Sequence, residues 1–187
     1  MTTAAHEQPK QSPAAVATVR RLSPNDAAAS VGALADVLID CVHGGASVSF
    51  MAPLPREKAL AFWRSVAEGV ARHERVLLVA EDASGAIVGT VQLITAMPDN
   101  QPHRADVAKM LVHRRARRQG IAQQLMAAVD EAARVEGKTV LVLDTVTGGA
   151  AERLYERAGW QRVGMVPDYA LMPDGALCGT TFFCKRV

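Results

Sequence analysis

The chain lacks any apolar run of the roughly 20 residues that a bilayer-spanning helix requires. Its N-terminus, MTTAAHEQPKQSPAA, has no apolar core of the kind a secretion signal needs and carries Glu7. Cysteine is sparse: Cys41, Cys178 and Cys184, an odd count with no CxxC spacing. That pattern argues against a disulfide framework and fits reduced thiols in a cytoplasm. Charge is nearly balanced, at +2 formal net with 21% charged residues. This is too little to recruit nucleic acid or an acidic membrane surface. Neither repeats nor low-complexity blocks are found. What remains is ordinary globular composition, 49% hydrophobic over 187 residues. That is enough for one domain with a substantial core. Residues 1–15 read as a flexible lead-in and residues 16–187 as the domain.

Hydrophobic periodicity divides this domain into elements. Val16 to Leu22 alternates as a strand. Ser23 caps, and Pro24 opens, a helical pattern through Leu34, Val37, Leu38 and Cys41. His43 to Leu54 reads as a loop, and Pro55 opens a second helix reaching about His73. Arg75 to Glu81 and Ala86 to Ala96 form a hairpin across the turn Asp82-Ala83-Ser84-Gly85. Arg104 to His113 is a strand and Gln119 to Gly137 a helix. Val140 to Thr145 is a strand, Ala150 to Ala158 a helix and Trp160 to Val166 a strand. Val166 to Gly175 reads as a loop before a last strand, Thr180 to Arg186. A meander followed by alternating strands and helices implies an α/β mixed sheet with helices on its faces.

The most informative stretch is Val107 to Met126, VAKMLVHRRARRQGIAQQLM. It places a basic loop with one glycine between a strand and the start of an amphipathic helix. Unpaired N–H groups and the positive end of the helix dipole suit such a start to phosphate, so an anionic cofactor is expected. An RRARR cluster is more often a solvated charge run, but its place at a helix start favours binding.

These residues, together with two further features, resemble the GCN5-related N-acetyltransferases. Arg117-Arg118-Gln119-Gly120-Ile121-Ala122 is similar to the family's Arg/Gln-x-x-Gly-x-Gly/Ala loop. Ala151-Glu152-Arg153-Leu154-Tyr155-Glu156-Arg157-Ala158-Gly159-Trp160, following Leu141 to Asp144, is similar to its Ala-x-x-Leu-Tyr-x-x-x-Gly-Phe helix. The third feature is the order of elements. The glycine loop alone is weak; loop and tyrosine helix in order are fairly specific. The chain departs from the pattern at Arg114, where proline is common, and at Gly148, where asparagine is common. HGGASVSFMA, RADVAKMLV, LDT and MPDG also resemble the tabtoxin-resistance branch of the family, whose acceptor is a small β-lactam amino acid.

The resemblance implies a fold of mostly antiparallel strands with a splayed parallel pair at an acetyl-CoA site, and acetyl-CoA as co-substrate without a metal. Backbone N–H groups of Arg118, Gln119, Gly120, Ile121, Ala122 and Gln123 would hold the diphosphate, aided by the charge of Arg117 or Arg118. Leu111 and Val112 would present backbone to the pantetheine arm and the developing oxyanion. Asp106 and Asp144, at the ends of the splayed strands, are the candidates for binding the acceptor ammonium and taking its proton. His43 and His113 rival them by ordinary pKa. Tyr155 stands at the family's general-acid position. His43, Ser47, Phe50 and Met51, with Asp144, would contact the acceptor beneath a closing loop. Each has a plainer structural alternative: Asp106 paired with Arg104, His113 on the surface, Tyr155 in the core. The implied activity is acetyl transfer to a small amine, with an amino-acid-like toxin among the candidates. A peptide acetyltransferase and a non-catalytic acyl-CoA-binding module are the alternatives. A cytoplasmic monomer or homodimer is expected.

Overall fold

The computed structural model describes residues 17–187; the expected lead-in, residues 1–15, and Val16 lie outside them. Seven strands make one mixed sheet in the order β1-β2-β3-β4-β5-β7-β6. They are β1 (Thr18–Arg21), β2 (Arg75–Glu81), β3 (Ile87–Ile94), β4 (Arg104–Val112), β5 (Val140–Val146), β6 (Gln161–Leu171) and β7 (Leu177–Arg186). Every neighbouring pair is antiparallel except β4 and β5. The mixed sheet expected from the alternation of elements is thus what forms.

Apolar side chains on both faces of the central strands explain why helices cover both. On one face lie α1 (Pro24–Ala29), α2 (Val31–His43) and α3 (Arg56–Ala71). There Leu34, Leu38, Trp63 and Val66 pack with Leu77, Val79 and Leu111. On the other lies α4 (Ile121–Val135), whose Leu125, Met126 and Val129 meet Val76, Leu78, Val91 and Leu141. The alternation within β2, odd residues to one core and even residues to the other, is the period-2 rule at work. The short α5 (Ala150–Arg157) sets Tyr155 against Trp160 and Phe183.

Two expectations change. The helix from Ser23 to Cys41 is broken at Ser30 (φ −88°, ψ −2°), which closes α1 as its C-cap, its N–H donating to the Asp26 carbonyl, and starts α2 afresh as its N-cap. Ser23 caps as expected, its Oγ accepting from the Asp26 N–H at 3.2 Å. The segment Val166 to Gly175 is mostly strand, not loop. β6 continues through it to Leu171 and meets β7 across a turn in which the Met172 N–H donates to the Ala176 carbonyl at 2.7 Å. Pro167 is accommodated because the register jumps from Val166↔Thr180 to Ala170↔Cys178, leaving three residues opposite one. β6 is also an edge strand, where a missing N–H costs little.

The feature that positions the site is the parting of β4 from β5. They pair only at Arg104↔Val140, Ala105↔Leu141 and Asp106↔Val142. Beyond Asp106, β4 bulges. Its register with β3 shifts between Gln92↔Ala108 and Thr90↔Leu111, so Lys109 and Met110 face Val91 alone. Lys109 sits at φ 52°, the left-handed region. β5 meanwhile follows β7 as far as Val146↔Thr180.

Candidate functional site

Where the two strands separate lies a cleft of about 1030 Å³. β4 from Val107 to Val112 forms one wall, and Asp144 to Val146 with Leu154 and Tyr155 the other. Gly44 to Met51 and Tyr169 to Met172 border one end, and Arg117, Arg118 and Ala122 the opposite end. Among the described residues no group of His, Cys, Asp and Glu is placed to hold a metal ion. Nor is any described helix long and apolar enough to cross a membrane.

The loop before α4 has the backbone geometry of an anion cradle. Arg118 (φ 62°) and Gly120 (φ 78°) are both left-handed, and Gly120 is the N-cap of α4 without a side-chain cap. Among the described residues the backbone N–H groups of Arg118 to Gln123 find no acceptor outside the helix, and the first turn offers none within it. Such alternation of backbone conformation turns successive N–H groups to one side. A Cβ built on Gly120 would meet no protein atom within 4 Å, so the space above the helix start is open. The RRARR cluster divides in two. Arg114 is held by Asp40 at 2.8 Å and Arg115 by Asp82 at 2.9 Å. Arg117 and Arg118 make no salt bridge among the described residues and line the cleft. Arg117 Nε donates to the Val112 carbonyl at 3.1 Å, pinning its guanidinium at the end of β4. Gln119 and Gln123 are exposed, whereas the side chains of Ile121 and Leu111 are buried in the two cores.

At the other end, Asp144 and Tyr155 face the same space. Partial burial raises the Asp144 carboxyl above the usual carboxylate value; Lys109 opposes this and Asp106 adds to it. Tyr155 is 6% exposed, and burial, with a smaller contribution from the Asp144 charge, pushes its phenol up to about 12. Asp106 does not line the cleft: it bonds Arg104 two residues before it on β4. The Asp–Arg pair that was its structural alternative is therefore present.

His43 is a correction. It is exposed at the end of α2, does not line the cleft, and its Nε2 accepts from the Leu54 N–H at 3.2 Å. It staples the two ends of the loop together. His113 also lies outside; its Nδ1 accepts from the Arg115 N–H at 3.2 Å and lies 3.5 Å from Asp40. Ser47 lines the cleft and donates to the Leu171 carbonyl at 2.9 Å. The Ala52 N–H donates to the Pro173 carbonyl at 3.0 Å. These bonds fasten the loop to the β6–β7 turn as a roof. Phe50 is nearly buried against Phe62 (5.3 Å between centroids), and Met51, 42% exposed, borders the cleft.

Sequence reasoning missed Lys109. Its ammonium lines the cleft, bonds Ser49 Oγ at 3.1 Å and lies 5.8 Å from the Phe62 ring centroid. Burial lowers its pKa, and the Asp144 charge partly opposes this. The available signal was a lone lysine in the otherwise apolar stretch from Val107 to Val112.

Residues 72–162 match the model of the acetyltransferase (GNAT) domain family. An uncharacterised N-acetyltransferase of the hisH–hisA intergenic region of Azospirillum brasilense is 35% identical over 113 residues, 59% of this chain. That match spans 65% of the relative's own length. A GNAT-superfamily phosphinothricin acetyltransferase from Sinorhizobium meliloti, solved in complex with acetyl-CoA, superposes with a TM-score of 0.73 at 18% identity, covering 92% of this chain and 89% of that one. A ribosomal-protein-alanine N-acetyltransferase from Brucella melitensis gives 0.73 at 23% identity, covering 91% and 99%. The fold is shared by proteins whose acceptors differ from one another.

Proposed function

From the match of residues 72–162 to the acetyltransferase (GNAT) domain model, we propose that the chain transfers an acetyl group from acetyl-CoA to the amine of a small molecule. The acceptor we favour is amino-acid-like, of the kind represented by toxin or antibiotic amino acids. The observation carrying the reading is the single cleft between β4 and β5, with a cradle of free N–H groups at one end and Asp144 and Tyr155 at the other. The setting we propose is the cytoplasm, with the chain acting as a monomer or homodimer.

The residues fit the cofactor. The N–H groups of Arg118 to Gln123 would hold its diphosphate, with Arg117 and Arg118 adding charge. Backbone of Leu111 and Val112, on the stretch of β4 that has left β5, would bind its amide arm as an added strand. Bound acetyl-CoA supplies the acetyl group as an activated thioester. Asp144 binds the acceptor ammonium and takes its proton, directly or through water; its raised pKa makes it a better base than an ordinary carboxylate. Tyr155 donates a hydrogen bond toward the departing sulfur. With its phenol near 12 against roughly 8.5 for an ordinary thiol, it stabilises charge there rather than surrendering its proton outright. Asp106, tied to Arg104, acts on Asp144 only through its charge.

The roof over the acceptor end counts against a peptide acceptor, which needs an open groove. The test is a screen of small amines, β-lactam amino acids included, following free CoA thiol. Wild-type protein is expected to release CoA in proportion to acceptor, and Tyr155→Phe to lower kcat by about 10²-fold. Tight acetyl-CoA binding with no acceptor consumed would instead favour the non-catalytic module.

A further inference from the structure

Five non-glycine residues in the described chain have left-handed backbone, and two of them, Ser49 (φ 75°) and Lys109 (φ 52°), bond each other across the acceptor end of the cleft. Such conformations cost free energy and persist where surrounding structure enforces them. The β4 bulge is what carries the Lys109 side chain into the cleft. There the ammonium has one hydrogen-bonding partner, the Ser49 hydroxyl, and no salt bridge among the described residues. An ammonium has three donors. Apart from Ser49, the ammonium has the Phe62 ring 5.8 Å away and no other polar partner among the described residues, so donors remain for an anion entering the cleft beside a hydroxyl that can also turn to donate. Removal from water strengthens whatever anion they meet. Asp144 lines the same space close enough for the two charges to influence each other, without bonding Lys109 directly.

We propose that Lys109, with Ser49, is the carboxylate receptor of the acceptor site, so that the acceptor is an amino acid bound as a zwitterion, its carboxylate on Lys109 and its ammonium toward Asp144. This rests on the acetyltransferase reading and adds what that reading leaves open: which group besides the amine is recognised, and by which residue. Lys109 is a specificity-determining residue; it takes no proton and forms no bond in the transfer. The arrangement discriminates twice. An amine without a carboxylate leaves the Lys109 ammonium half-satisfied in a confined space. A dicarboxylate without an amine meets Asp144.

The test pairs acceptors of one skeleton with and without the carboxylate: amino acids against their decarboxylated amines and their primary amides. With wild-type protein kcat/KM is expected to favour the carboxylate-bearing member by about 10²-fold, mainly through KM. In Lys109→Met that ratio is expected to collapse to within a few-fold of one, whatever the absolute rates. Lys109→Arg should keep part of the preference, and Ser49→Ala should reduce it. A wild-type enzyme that acetylates both members equally overturns the proposal while leaving the transferase reading intact, and needs no variant to show it. A ratio unchanged in a folded Lys109→Met does the same. If no acceptor turns over, binding of the paired compounds to the protein with CoA, read as thermal upshift, decides the receptor separately from the chemistry: equal upshifts overturn it.

Discussion

Gly120 and Gly85 offer a matched pair for isolating the anion cradle. Their backbones are nearly identical, φ 78° and 79°, and a Cβ on either would meet no protein atom within 4 Å. Alanine at each position therefore pays only the left-handed penalty, about 1–2 kcal/mol. For a domain of this size that is a fall in Tm of about 2–4 °C per kcal/mol. The two sites differ in what the open space is for. Gly85 lies in the turn between β2 and β3, whereas Gly120 caps α4 among the unpaired N–H groups of Arg118 to Gln123. A methyl at Gly120 obstructs the close approach of a diphosphate; a methyl at Gly85 obstructs nothing. Denaturant melts should show similar losses of stability in Gly120→Ala and Gly85→Ala. Calorimetric titration with acetyl-CoA should show about tenfold weaker binding, or about 1.4 kcal/mol, in Gly120→Ala alone. Equal dissociation constants in the two variants would refute the assignment of the cradle.

Because burial raises the Asp144 carboxyl, the folded state favours its protonated form. Its contribution to stability is therefore full below the unfolded carboxylate's pKa and is lost as pH rises through the folded value. Asp144→Asn should accordingly be more stable than wild type at neutral pH, with an advantage that grows in urea melts as pH rises above the ordinary carboxylate range; a pH-independent difference would contradict this. The same variant should lose about 10²–10⁴-fold in kcat, whereas Asp106→Asn, which breaks only the pair with Arg104, should remain within a few-fold in a thiol-release assay. Trp63→Ala, at a side chain with no exposed surface, should cost about 3–5 kcal/mol by denaturant titration without changing acetyl-CoA affinity.

The strands of the sheet were readable because period 2 survives single-residue noise. The proposed cradle rests on the place of glycine and arginine at a helix start, and the proposed roles of Tyr155 and Asp144 on the resemblance. The acceptor end was harder to read. Lys109 occupies a bulge, and the one-residue shift that turns its side chain into the cleft depends on how β4 meets Val91 of β3, a relation between distant segments. His43 looked like a site residue because glycines follow it, yet its ring nitrogen is spent on the backbone of Leu54. Pro167 and the Asp174-Gly175 turn suggested a long loop. Only the edge position of β6 lets a proline interrupt the strand without ending it.

The bonds from Ser47 to Leu171 and from Ala52 to Pro173 join segments more than a hundred residues apart in the chain. The loop after α2 and the tip of the β6–β7 hairpin thus behave as one hinged leaf, and neither swings without carrying the other or breaking both bonds. In the proposed transferase this leaf is the doorway for the acceptor, adjustable from outside. Changes in the exposed turn at Asp174 and Gly175, remote from Asp144 and Tyr155, would alter how fast acceptors enter and leave while the chemistry stays as it was.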